Sequence, residues 1–210
     1  MPRGVWTSID ESNPFVDASG SKTVNAPEIA RTVKFYLLGE GWEDRVITVR
    51  VNCHEAWFAE DEMTNEICPR GGASMVQASY QSFEHGFMVW QSGAIWVFPP
   101  DSSSSGYAYV DTWDGSTPVT FDQEPPEGLY QPVNGFGKVW VENQKVRDLV
   151  GWATTAEQGY SMQIQGTQPN FTQPWNAGTT YFRLPDNSII RAQIPVSGAG
   201  AVINWVRFGD

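Results

Sequence analysis

Carboxylates able to serve as acid or base stand at Glu84, Asp111, Asp114, Glu124, Glu127 and Glu157, and the chain has two histidines, His54 and His85. A hydrolase needs a nucleophile beside its base, or two carboxylates held at a fixed separation. Glu84 and His85 are neighbours, so in an extended segment they project to opposite faces and do not cooperate. Asp111 and Asp114, in "DTWDG", fit one turn, but aspartates in turns most often bond their own backbone. No nucleophile elbow, phosphate loop or dinucleotide fingerprint occurs. In "GFGKVW", Gly135 and Gly137 are expected to allow a turn or a close backbone approach. The expectation is therefore a chain with no catalytic residue, no cofactor and no metal ion. A glycoside hydrolase or other hydrolase is the alternative.

The two cysteines, Cys53 and Cys68, lie in "VNCHEAWFAEDEMTNEICPR". Paired, they close a short loop worth about 3 kcal/mol by the chain-entropy argument, and an even cysteine count in a turn-rich β chain suits an oxidising compartment. A metal site recruiting His54 and His85 is the competing reading. It is disfavoured because Cys53 and His54 point to opposite faces of a strand and the spacing matches no standard zinc pattern. Two free buried thiols are the third. The sequon "NFT" at Asn170 to Thr172 carries weight only in a eukaryotic secretory pathway.

Ten Trp, seven Tyr and eleven Phe dominate the composition. An indole offers a flat apolar face and an N–H at its edge, which suits the C–H faces of sugar rings, with Asp, Asn or Gln beside it to hold hydroxyls. Trp57, Trp113 and Trp175 stand in polar or loop contexts, "EAWFAE", "DTWDG" and "QPWNAG". The expected ligand-binding set is thus Trp57, Trp113 and Trp175 with Asp111, Asp114 and Asn176; a lid over the core is the other reading of these three indoles. Trp90, Trp96, Trp140, Trp152 and Trp205 fall inside apolar patterns and are expected in the core. The net charge of -11, with 24 acidic against 13 basic residues and no Lys/Arg run, excludes nucleic acid and anionic membrane as partners. No stretch approaches the ~20 apolar residues of a membrane span, so no membrane insertion is expected. The start "MPRGVWTSIDESNPF" lacks the segments of a secretory leader; the location expected is nonetheless extracellular or cell-envelope associated.

Few helix formers, with 20 Gly and 14 Pro among Thr, Val and aromatics, predict a mostly β chain. An irregular segment at 1–28 precedes a β unit at 29–114 that holds the disulfide loop. A Pro-rich acidic connector at 115–128 leads to a second β unit at 129–210. In "FEHGFMVWQSGAIWVF" a hairpin about Ser92-Gly93 places Phe87, Val89, Trp96 and Phe98 on one face and Met88, Trp90, Ile95 and Val97 on the other. Both faces are apolar, so the first is assigned to the core and the second to a cover from the other unit. One short helix is predicted near 143–150, with Asn143 as its cap, Val146, Leu149 and Val150 as its apolar stripe and Gly151 at its end. The halves echo each other: Gln-containing strands "ASYQSF" and "YSMQIQ" each precede an aromatic hairpin. The fold class expected is all-β, built of paired β-hairpin units in a propeller-like or sandwich-like arrangement.

"SFEHGFMVW" with "AIWVF", "GFGKVWVENQKVRDLVGWATTAEQ" and "YFRLPDNSII", over about 66–208, resembles a repeat-bearing module of secreted proteins and lipoproteins of Chloroflexi-type filamentous bacteria, and more distantly the LGFP repeat of actinobacterial cell-wall proteins. The core motif falls on Leu149, Gly151, Trp152, Ala153 and Glu157, matched by Phe83, Glu84, Gly86, Met88 and Trp90. It departs from the pattern in reading "LVGWA" and in lacking a second "FEHG". The resemblance implies a non-catalytic extracellular module that helps attach a protein to the cell envelope or to glycans. The alternative, read from the aromatic faces, the acidic surface and the lack of an active-site signature, is a structural subunit of a surface assembly or filament whose apolar face packs on a protein neighbour, including a second copy.

Overall fold

The hairpin at Ser92-Gly93 forms as its residue types demand, with φ of 47° and 83° at the two turn positions, the left-handed pair that matches the twist of the flanking strands. The computed structural model describes residues 4–7, 31–39, 45–167, 178–194 and 200–209. By its contacts the chain divides into two units, Met1–Gly72 and Ala73–Asp210.

The first unit holds an antiparallel sheet of β1 (Gly4–Thr7), β2 (Thr32–Gly39) and β3 (Arg45–Arg50), in that order. The alternation read in "TVKFYLL" appears as the register Val33 to Val49 and Phe35 to Ile47. Cys53 and Cys68 form a disulfide, with Cα atoms 5.3 Å apart across 15 residues. Inside that loop a 3-10 turn spans Met63–Asn65. Asp61 and Thr64 bond reciprocally, each side chain accepting the other's backbone N–H at 3.1 Å.

The second unit is an eight-stranded antiparallel closed barrel. Its strands are β4 (Ser74–Phe83), β5 (Gly86–Gln91), β6 (Ala94–Phe98), β7 (Gly106–Val110), β8 (Gln158–Gly166), β9 (Gly178–Arg183), β10 (Ile189–Ile194) and β11 (Ala201–Phe208). The ring runs β4-β5-β6-β7-β11-β10-β9-β8 and back to β4. This corrects the propeller-like or sandwich-like expectation. Each half is a four-stranded meander; the two Gln-containing strands, β4 and β8, pair with each other, and β7 pairs with β11. Both free edges of each meander are thereby consumed, and closure alone removes edges entirely. Alternation along a strand reports its two faces but not its lateral neighbour, which is why the halves were legible and their joining was not.

The barrel is filled. Phe87, Val89, Trp96 and Phe98 point inward with Met162, Ile164, Phe182, Ile190, Ile203 and Trp205. Phe98 lies 5.1 Å from Trp205 and 6.0 Å from Phe182 between ring centres. Outward positions include Gln77, Ser161, Gln193 and Asn204, the reverse of the apolar-out, polar-in alternation of membrane-spanning barrels. Among the described residues no helix is long and apolar enough to cross a membrane.

The other face of β5 and β6, with Met88, Ile95 and Val97 fully buried, is covered by two helices, α1 (Asn134–Glu142) and α2 (Gln144–Val150). The predicted short helix is α2, with Val146 and Val150 buried and Gly151 at φ 72° after its last turn. Asn143 occupies the position before α2 in extended geometry, yet its side chain donates back to Val139 O at 2.8 Å and does not cap. A single helix was expected; α1 is the second. Glycines at 135 and 137 lower its intrinsic propensity, but they are what lets the helix approach: a β-carbon at Gly135 would fall 2.6 Å from Asp111 Oδ1, and one at Gly137 2.5 Å from Pro132 O.

At the β9–β10 turn, Asn187 takes φ 69°. Burial pushes the Asp186 carboxyl up, but hydrogen bonds from Ser188 Oγ at 2.6 Å and Ser188 N at 3.0 Å, together with the Arg207 guanidinium, outweigh it and hold the carboxyl below its ordinary value. A carboxyl depressed in the folded state adds stability above its unfolded pKa of ~3.9 and loses it as pH falls through the folded value. Ser188→Ala is expected to lower stability at pH 7 by about 1 kcal/mol, discounted for the partial exposure of the pair. That deficit narrows as pH falls through the depressed folded-state value and the carboxyl takes up its proton, as thermal melts across pH would record. Gly86→Ala is expected to cost about 3 kcal/mol or more, because Gly86 has φ 138° and a β-carbon there would sit 2.1 Å from Phe98 O. Urea unfolding of the purified variant measures it.

Candidate functional site

The turn between β4 and β5 grips the segment that follows α2. Glu84 N donates to Trp152 O and His85 N to Val150 O, both at 2.9 Å, and Phe83 bridges to Ala153. Glu84 Oε2 accepts the Trp152 backbone N–H at 2.8 Å. The two stretches singled out as a motif, "FEHG" and "VGWA", are thus one interlocked structure from opposite sides of the connector. Glu84 spends its carboxylate on this lock, and Gly151, whose β-carbon would lie 2.6 Å from Glu84 Oε2, leaves room for it.

The lock displays an aromatic group. Trp152 lies 4.5 Å from Trp140 between ring centres, and Phe121 of the connector lies 5.7 Å from Trp140 and 6.5 Å from Trp152. Trp140 is buried and donates its indole N–H to Gly151 O at 2.7 Å. Trp152 is half-buried, and its indole N–H has no partner among the described residues. Trp140 and Trp152 floor an open cleft of about 430 Å³ walled by Asp122, Gln123, Gln144, Arg147 and Asp148. Arg147 is committed: it donates to Trp140 O at 3.0 Å and also to Val141 O, satisfying carbonyls at the end of α1, where a cation is favoured. Asp148 accepts from Gln144 Nε2 at 2.6 Å through Oδ1. Asp122 and Gln123 make no hydrogen bond or ion pair among the described residues.

A second open cleft of about 430 Å³ adjoins α1, lined by Trp113, Asp114, Thr117 to Thr120, Lys138, Val141 and Glu142. Trp113 and Asp114, expected to bind ligand, meet here. Trp113 is half-buried and its indole N–H donates to Thr117 O at 2.8 Å. Asp114 accepts the Thr117 hydroxyl, the Thr117 N–H at 2.7 Å and the Ser116 N–H at 2.9 Å. Those bonds, the Thr117 hydroxyl first, hold its carboxyl well below the usual carboxylate range. Asp114 builds its own turn.

The remaining expected residues are placed elsewhere. Asp111 accepts the Trp90 indole N–H at 2.8 Å and the Trp113 backbone N–H at 3.0 Å, tying β5 to the loop that follows β7, and Gly135 of α1 packs against its carboxylate. Trp57 belongs to the first unit, where its indole N–H donates to Ile67 O at 2.9 Å across the disulfide loop. Trp175 and Asn176, and the sequon at 170–172, lie outside the described residues. Trp152, expected in the core, packs half-buried against the cluster beneath the helices and also reaches the cleft, which its apolar neighbourhood did not indicate. The available signal was its position directly after a helix-ending glycine, which throws the next side chain to the rim. Among the described residues no group of three His, Cys, Asp or Glu could hold a metal ion.

Comparison with family models, with curated proteins and with solved structures finds no significant match.

Glu84→Ala removes the acceptor for the Trp152 N–H and opens a gap beside Gly151. The expected result is a loss of about 1 kcal/mol in stability, with tryptophan emission altered in the folded state while the far-ultraviolet β signature persists.

Proposed function

We propose that the barrel unit is a non-catalytic, extracellular or cell-envelope module that binds glycan in the cleft floored by Trp140 and Trp152. The observation that carries this reading is the combination of a half-exposed indole with an unspent N–H and two unspent planar polar groups, Asp122 and Gln123, around one open cleft. An indole face receives the C–H face of a sugar ring, and the polar groups at its edge take the hydroxyls. Arg147 and Gln144 are already bonded and so hold the wall rigid, which limits the ordering cost of binding.

A binding role also fits what the prominent carboxylates do. Glu84, Asp111 and Asp114 each accept backbone N–H groups, and an acid or base committed to such bonds is poorly placed to exchange protons with a substrate. The disulfide suits an oxidising compartment, which supports the location. The resemblance to envelope-associated repeat modules points the same way.

Trp152→Ala is expected to weaken retention on insoluble wall polysaccharide about tenfold, equivalent to ~1.4 kcal/mol, with the far-ultraviolet circular dichroism unchanged. Retention equal to the wild type in a folded Trp152→Ala protein would falsify the site.

A further inference from the structure

The two clefts share a wall residue, Val141, and the same two walls continue from one to the other. On one side run Lys138, Val141 and Glu142, then Gln144 and Asp148 of the helix pair. On the other runs the connector, contributing Thr117 to Thr120 to the first cleft and Asp122 and Gln123 to the second. Phe121, between those two sets, turns inward onto Trp140. Both hollows lie between the connector and the helices and meet at Val141, one lined by Trp113 and the other by Trp152.

We infer that the two clefts act as one groove, which takes a linear glycan of neutral or amino sugars lying across both, and not a single terminal sugar. The inference rests on the glycan reading above and extends it to chain length and charge. Length follows from the spacing of two aromatic platforms along one channel: a chain that reaches both gains the second contact without a second loss of translational freedom. Charge follows from which ionic groups are free. Lys138 donates to Thr112 O at 2.9 Å and faces Glu142 at 3.9 Å, and Arg147 is bonded to the carbonyls of α1. Asp122 and the second oxygen of Asp148 stay available. The lining carries the carboxylates of Asp114, Asp122, Glu142 and Asp148 against the cations of Lys138 and Arg147, and this negative balance repels uronic acids and phosphates and favours hydroxyl or ammonium donors.

The test is calorimetric titration of the full chain with β-1,4-linked glucosamine oligomers from dimer to hexamer, and with galacturonic acid oligomers of matched length. The expected result is an affinity for the glucosamine hexamer about tenfold or more above that for the dimer, with the galacturonate series weaker throughout. Trp113→Ala should erase the gain with length and leave dimer affinity intact. Thr120→Arg, which obstructs the first cleft without touching the Asp114 turn, should do the same and guards against misfolding of the first variant. Affinity that depends on Trp152 but not on chain length overturns the spanning mode and leaves the single-cleft reading standing. Galacturonate bound as tightly as glucosamine overturns the charge assignment. Absence of binding by every oligomer, together with polysaccharide retention indifferent to Trp152→Ala, overturns both readings.

Discussion

The β5–β6 hairpin is apolar on both faces, and that constraint organises the barrel unit. A strand pair of this kind cannot border water on either side without exposing most of a core. One face is met by the barrel interior, where Phe87 and Trp96 find Trp205 and Phe182. The other requires a separate cover, and residues 134–150 supply it as two short helices. Neither helix is long enough to hold its shape in isolation; each is stabilised by the surface it covers. The cover also fixes the connector, since Phe121 must lie on Trp140 and Asp111 must hold both Trp90 and Trp113.

The clefts follow from that cover. Two helices laid on a twisted sheet and a connector laid along the helices meet at imperfectly matched surfaces, and the channel between them is where side chains neither fully pack nor fully face water. Such seams are where binding sites arise. The lock between Glu84 and Trp152 keeps the rim of the seam in register with the barrel, so the indole is displayed by rigid elements and not by a free loop.

Much of the barrel could be read in the chain. The Ser92-Gly93 turn and its register, both faces of the hairpin, the second hairpin at Asp186-Asn187, α2 with Gly151, the closing strand and the disulfide all appear where local residue types place them. These are short-range features, each decided by a few neighbouring residues. Ring closure was not legible, because the β4–β8 and β7–β11 pairings join segments about eighty or more positions apart in the sequence and carry no local mark. Helix α1 was hidden for a different reason: its glycines argue against a helix locally, and only the nearness of Asp111 and Pro132 explains them.

The candidate site shows how far loop context alone determines what an indole does. Loop context correctly marked Trp113 as unusual, and turn chemistry correctly predicted that Asp114 would bond its own backbone. Yet a loop tryptophan is not free merely because it lies in a loop: Trp57 and Trp113 both spend their indole N–H on a nearby carbonyl. Trp152, surrounded by apolar residues, has no partner for its indole N–H among the described residues. The distinction depends on where the chain turns after α2, and that turn is set by Gly151 and by a glutamate 67 positions away, as the separation of Glu84 from Gly151 requires. Availability for binding is therefore a property of the lock between the two halves, and no window of sequence that contains only one half can report it.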